Sequence, residues 1–123
     1  MREGQNGNRP PKSSPLVGAW EGGRVGFRGM IVFTERHVCM FAVADDRPLL
    51  PPQPPDSLLA EAYRTVRGGA GPYKVSGSRL TIERPYHWTP GGPAAHFEFQ
   101  IAGDELTLTG ARSGFAWKYR RVS

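Results

Sequence analysis

Sixteen glycines and twelve prolines punctuate a chain of 123 residues, and no other feature narrows its fold so far. Together they hold nearly a quarter of the positions, about twice ordinary usage. Proline removes a backbone donor, and glycine costs ~1 kcal/mol against alanine inside a helix, so a helical bundle or coiled coil is excluded. Disorder of the whole chain does not follow, because the two residue types are unevenly placed. Eight of the twelve prolines fall in residues 1–15 and 48–55. Residues 1–15 are polar and aperiodic and read as a disordered tail. Residues 48–55 read as a stiff extended loop. Residues 16–123 then form one domain, since the length leaves no room for two ordinary cores.

The rest of the chain is mostly short β-like runs, at 16–21, 25–34, 37–44, 73–75, 79–88, 95–101, 105–110 and 115–121. Glycine-containing turns separate them, which is the pattern of an antiparallel meander of about eight strands. A meander of that size closes into a barrel or folds into a sandwich. The run HVCMFAVA (37–44) is apolar on both faces and is expected to be covered on both. One helix interrupts the meander. Leu58, Leu59, Ala62, Tyr63 and Val66 fall on one apolar stripe. Asp56 or Ser57 can cap its start, and Gly68 and Gly69 can end it. Such a helix should bury its stripe against the sheet or across a barrel mouth.

The 79–101 hairpin carries usable geometry. A loop over residues 89–94 pairs Trp88 with Ala95 and puts His87 opposite His96. The same register sets Ile82, Arg84 and Tyr86 against Ile101, Phe99 and Phe97 on one largely apolar face. Thr81, Glu83 and His87 then share the other face with Gln100, Glu98 and His96. The next hairpin turns on Ala102-Gly103-Asp104.

The formal charge is +5, and thirteen of the sixteen basic residues are arginine. They are scattered among acids or gathered near the ends, and no aromatic residues interleave with them as in a stacking platform. Nucleic acid is therefore not the expected partner. Cys39 is the single cysteine, which excludes an internal disulfide and argues against structural zinc. It shares a strand face with His37, but apolar neighbours favour a buried, inert thiol over a nucleophile. No apolar leader or membrane-length run is present, so a cytoplasmic, membrane-free protein is expected by elimination.

Several segments taken in order resemble a known family. They are LVGAW (16–20), GMIVFT (29–34), GPYKVSGSRLTI (71–82), PGGP (90–93), FQIAGDELTLTG (99–110) and FAWKYRR (115–121). Together they resemble the lipocalin-like domain family, small relatives of the calycin barrels. The resemblance implies an all-β fold, an eight-stranded antiparallel barrel with an internal cavity and the helix near its mouth. It implies that Gly18 and Trp20 form the opening motif, the Trp closing one barrel end. Relatives bind hydrophobic small molecules, and some barrels of this type are cyclases or isomerases in natural-product pathways. Two family features are missing: adjacent histidines where Ile82 and Glu83 stand, and an arginine near Phe97 and Glu98. A family activity carried by them would have to be rearranged onto His87, His96 and Arg84. The run GAWEGG (18–23) is faintly similar to haem-binding barrels related to nitrobindin, but no histidine follows His96 to ligate iron, so no cofactor is expected.

The candidate chemistry has two readings throughout. His87 and His96 could share a proton or hold a ligand oxygen, or stand as solvated hairpin histidines. Arg84 could bind a carboxylate or enolate, or pair with Glu83 or Glu98. Tyr73, Tyr86, Phe97, Phe99 and Trp117 could line a cavity with Arg84, or fill a plain core. No metal site is expected. Binding of a hydrophobic or weakly anionic small molecule inside the barrel is the preferred function. The alternative is a cofactor-free cyclase or isomerase that shapes its substrate, with His87, His96 and Arg84 as donors. If Trp117 is a core residue, Trp117→Ala should lower the unfolding free energy by ~3–5 kcal/mol in urea melts; a change under ~1 kcal/mol removes it from the core.

Overall fold

The computed structural model describes residues 14–47, 49–83, 86–87 and 94–123. Among these residues, nine strands and one helix follow in order: β1 (Gly18–Arg24), β2 (Phe27–Phe33), β3 (His37–Ala44), α1 (Asp56–Tyr63), β4 (Val66–Ser76), β5 (Arg79–Ile82), β6 (Tyr86–His87), β7 (Ala95–Ala102), β8 (Glu105–Gly110) and β9 (Ala116–Arg121). Every pairing is antiparallel. The sheet closes where β9 meets β1 and where β3 meets β4. β5 and β6 lie end to end against β4, so the barrel has eight staves. Among the described residues no helix is long and apolar enough to cross a membrane.

Side chains alternate in and out along each stave. Trp20, Ile31, Phe33, Val38, Leu80, Ile82 and Leu106 point inward and are at most 2% exposed. Gly22 and Gly29 are cross-strand partners on β1 and β2. A Cβ at Gly22 would overlap the Lys118 carbonyl oxygen, and one at Gly29 the Phe41 carbonyl oxygen. These strands coil too tightly for any side chain there, which is why the glycines sit inside strands as well as at turns.

One end of the barrel is shut. The indole Nε1 of Trp20 donates to the Leu16 carbonyl (2.9 Å). Arg121 from the last strand lays its guanidinium 4.2 Å from the centre of the Trp20 ring. The same guanidinium donates to the carbonyls of Val17 (2.9 Å) and Pro15 (2.7 Å). Ala19 N–H donates to the Ser123 carbonyl (3.0 Å). First and last strands are thus tied by backbone, stacking and charge-assisted bonds at one place. Residues 1–13 of the expected tail lie outside the described residues.

Four expectations are corrected. The helix stops at Tyr63 with Arg64 as its C-cap, while Val66, Gly68 and Gly69 belong to β4. Pairing with β3 from Val66 to Pro72 gives this backbone more partners than another helical turn would, so tertiary context overrides the apolar spacing. The N-cap is Pro55, whose carbonyl accepts from Leu58 and Leu59, so neither Asp56 nor Ser57 caps. α1 buries only Ala62; Leu59 and Tyr63 are about half exposed. The outer face of β3 is not covered either: Cys39 is exposed and Phe41 is 55% exposed.

The hairpin register differs most. Ile82 pairs with Ala95, Leu80 with Phe97 and Thr81 with His96. The offset from the expected register is an even number of residues, so β5 and β7 keep their faces although every partner changes. β6 leaves β7 and pairs with β4, Ala70 opposite Tyr86 and Gly69 opposite His87. Between the β5 and β6 pairings the register on β4 steps by one residue, which is a bulge. His87 therefore does not stand opposite His96.

Replacing Arg121 by Met keeps the stem over Trp20 and removes both bonds to loop carbonyls. Urea denaturation should show a loss of about 2–3 kcal/mol. A loss under ~0.5 kcal/mol would mean that those carbonyls are satisfied by water instead.

Candidate functional site

Toward the Trp20 end, the inward side chains Trp20, Phe33, Val38 and Leu106 are at most 2% exposed. Toward the end opposite Trp20, the inward side chains Arg24, Phe27, Met40, Arg67, Phe97 and Trp117 are each partly exposed. Strand parity places them: Arg24 follows Trp20 through Gly22 on β1, and Phe27 follows Ile31 through Gly29 on β2. Arg67 pairs with Ala42, on the same face as Gly69 with Met40 and Gly71 with Val38. Trp117 pairs with Leu108 at the start of β9. The β1–β2 turn, the connection through α1 and the turn before β9 all gather at this end. The tie between Ala44 N–H and the Thr65 carbonyl (2.8 Å) fixes the helix beside it.

Arg24 is the centre of this arrangement. Its guanidinium carbon lies 5.1 Å from the Phe27 ring centre, 4.5 Å from Phe115 and 5.4 Å from Trp117. Its Nε is buried and has no hydrogen-bond partner among the described residues. Arg67 stands 4.7 Å from the same Phe27 ring. Its Nη1 is held by the carbonyls of Arg64 (3.0 Å) and Val66 (2.8 Å). Phe27 and Trp117 are 6.3 Å apart at 47°, and Trp117 stacks on Tyr119 at 6.5 Å and 8°. The result is an aromatic cup that holds two positive charges.

The residues singled out from the sequence distribute as follows. Phe97, Phe99 and Trp117 face inward and are partly exposed. Tyr73 is buried at the shut end, its ring edge-on to Phe33 at 5.1 Å and its hydroxyl donating to the Thr34 carbonyl (2.7 Å). Burial, helped by Glu35, raises its phenol above the ordinary tyrosine range. Tyr86 lies on the outer wall, 76% exposed, because the bulge before it reverses its face. His96 is on the outer wall with Nδ1 3.2 Å from the Thr81 hydroxyl. Arg84 and the side chain of His87 lie outside the described residues. Beside His96, Glu98 is held low by hydrogen bonds from Ser78 (2.7 Å) and Arg79 (3.3 Å), an exposed outer-wall group.

Arg24, Phe27 and Arg67 were missed from the sequence. Expecting the first strand to end at residue 21 left Arg24 out, and carrying the helix's apolar stripe as far as Val66 kept Arg67 off a strand. The available signal was spacing: Trp20, Gly22 and Arg24 share one face of a strand once the glycines are accepted inside it.

An open groove of about 570 Å³ runs over the paired glycines and is lined by Glu21, Arg28, Met30 and Arg120. It offers no aromatic side chain and mixes both charges, so the cup is the better site. Among the described residues, no three His, Cys, Asp or Glu side chains gather as a metal site. Comparison with protein-family models, curated proteins and solved structures finds no match.

Burial holds the Tyr119 phenol well above the ordinary tyrosine range. A raised folded-state pKa gives stabilisation that is complete below the unfolded value of about 10 and is lost as pH rises through the folded value. The unfolding free energy should therefore fall by about 1 kcal/mol per pH unit above pH 10 through Tyr119. Tyr119→Phe should flatten that fall; identical alkaline slopes would show that the hydroxyl ionises freely in the folded protein.

Proposed function

We propose that the open half of the barrel binds an apolar small molecule. One observation carries this reading: Phe27, Phe97, Phe99 and Trp117 point inward yet remain partly exposed, while Trp20, Ile31, Phe33, Val38 and Leu106 nearer the other end are at most 2% exposed. Large apolar side chains left accessible on a concave surface are ligand-binding surface. The buried core supplies a packed base against which Phe97, Phe99 and Trp117 rest. The lipocalin-like resemblance supports the same use of the barrel.

Catalysis as a cyclase or isomerase finds less support. Among the described side chains, the inward ionisable groups are arginines and tyrosines, and burial raises Tyr73 and Tyr119 further from neutrality. None of these exchanges a proton readily at pH 7. His96, offered as a donor for that chemistry, stands on the outer wall.

Titration with the neutral fluorophore N-phenyl-1-naphthylamine should give saturable one-site binding, with a dissociation constant of roughly micromolar order. Native mass spectrometry of freshly purified protein should show a co-purified adduct. Folded protein with no saturable binding of the fluorophore would overturn the reading.

A further inference from the structure

The outer wall of the barrel has two halves of opposite character. On β5, β7 and β9 its outward positions include Arg79, Thr81, Glu98, Gln100, Lys118 and Arg120. In the middle of β2, β3 and β4 they are Met30, Val32, Cys39, Phe41, Gly68 and Ala70. These form two cross-strand rows, Val32–Cys39–Ala70 and Met30–Phe41–Gly68, and no charge interrupts either. Tyr86 of β6 extends the first row beyond Ala70. Met30 and Val32 are 41% exposed, Phe41 55% and Tyr86 76%, and Cys39 is exposed as well. A run as apolar as 37–44 belongs to a strand covered on both faces, yet these exposures leave its outer face bare.

The relief of this face fits a second copy of the chain. Phe41 and Tyr86 stand out as a ridge. A Cβ at Gly68 would lie 3.2 Å from Phe41 Cδ1, so the ring leans onto β4 and only glycine leaves it room. On the other side of the β2–β3 boundary runs the open groove over Gly22 and Gly29, lined by Met30 and Val122 with Glu21, Arg28 and Arg120. A twofold axis along that boundary brings the ridge of each copy to the groove of the other, so the surface is complementary to itself. Phe41 then meets the partner's Met30, an aromatic–sulfur contact, and Tyr86 enters the partner's groove, where a carboxylate can accept from its hydroxyl. The groove carries both signs of charge, so it does not repel a second copy of a chain whose formal charge is +5. The accessible parts of Met30, Val32, Phe41 and Tyr86 add roughly 400 Å² of apolar surface, a patch size that often marks an interaction site. With the groove walls each copy offers about 600 Å², the low end of specific interfaces, so the dimer is weak and concentration-dependent.

We propose that the chain forms an isologous dimer through the outer wall of β2–β4, Phe41 of each copy packed against Met30 of the other. The wall lies outside the barrel and the cup inside it, so this stands apart from the binding reading.

Sedimentation velocity in reducing buffer tests the dimer. Its fraction should rise from about a tenth or less at ~1 µM protein to more than half at ~300 µM. Phe41→Lys should raise the dissociation constant at least about tenfold and leave the melting temperature at ~1 µM unchanged. Alkylation of the Cys39 thiol by N-ethylmaleimide gives a second reading that needs no variant: it should slow severalfold over the same concentration range, and it decides should Phe41→Lys not fold. A chain still monomeric at ~300 µM overturns the proposal. A dimer that survives Phe41→Lys overturns this face as the contact. Species that grow beyond the dimer overturn the twofold in favour of a heterologous contact. Alkylation that is equally slow in the monomer at every concentration means that another segment of the same chain covers the wall, and overturns the second copy.

Discussion

Everything in this barrel hangs on the contact between Trp20 and Arg121. A meander has two free ends, and an open eight-stranded sheet would leave two edges unpaired. The β1–β9 ladder alone joins only four residue pairs, Trp20 with Arg121 to Gly23 with Lys118. Arg121 reinforces it by stacking on the indole and reaching the carbonyls of the segment that enters β1. One side chain therefore fixes where the first strand begins, where the last ends and which end of the barrel is shut. The indole beneath it is wholly buried and spends its single donor on Leu16, so no polar group is left orphaned under the plug.

The shut end explains why the other can stay open. Close packing around Ile31, Phe33, Leu80 and Leu106 supplies most of the apolar burial, so the cup need not be filled to keep the chain folded. The paired glycines on β1 and β2 let the staves coil without placing side chains in the waist between core and cup. A charged group at the cup is tolerable because three rings shield it and bulk solvent lies nearby.

The sequence revealed the barrel more readily than the cup, for physical reasons. β3 and β8 have the expected boundaries, since a nearly unbroken apolar run in one and a Leu/Thr alternation in the other, each bounded by turn residues, leave few alternatives. The helix was overrun because Val66 keeps its apolar spacing, and nothing local announces that Gly68 and Gly69 will be drawn into pairing with β3. The 79–101 register was misread because the shortest loop was assumed, whereas Ile82 and Ala95 pair across a far longer connection. Since the error was even, Phe97 and Phe99 still faced inward as read, whereas Tyr86 did not. Arg24 escaped notice because its neighbours are glycines, which hide a strand's alternation. A buried unpartnered atom is a property of three dimensions, and no one-dimensional pattern marks it.

The one-residue step between β5 and β6 has a consequence for how such a barrel can diversify. It decides the face of every residue that follows it on that stave, so Tyr86 is displayed outside instead of inside. Substitution changes one lining position at a time. Loss or gain of a single residue at the step exchanges the faces of the two β6 positions together, while β4 keeps its own pairing with β3. The barrel thus carries a site where length variation, rather than side-chain replacement, rewrites the chemistry it presents to its interior.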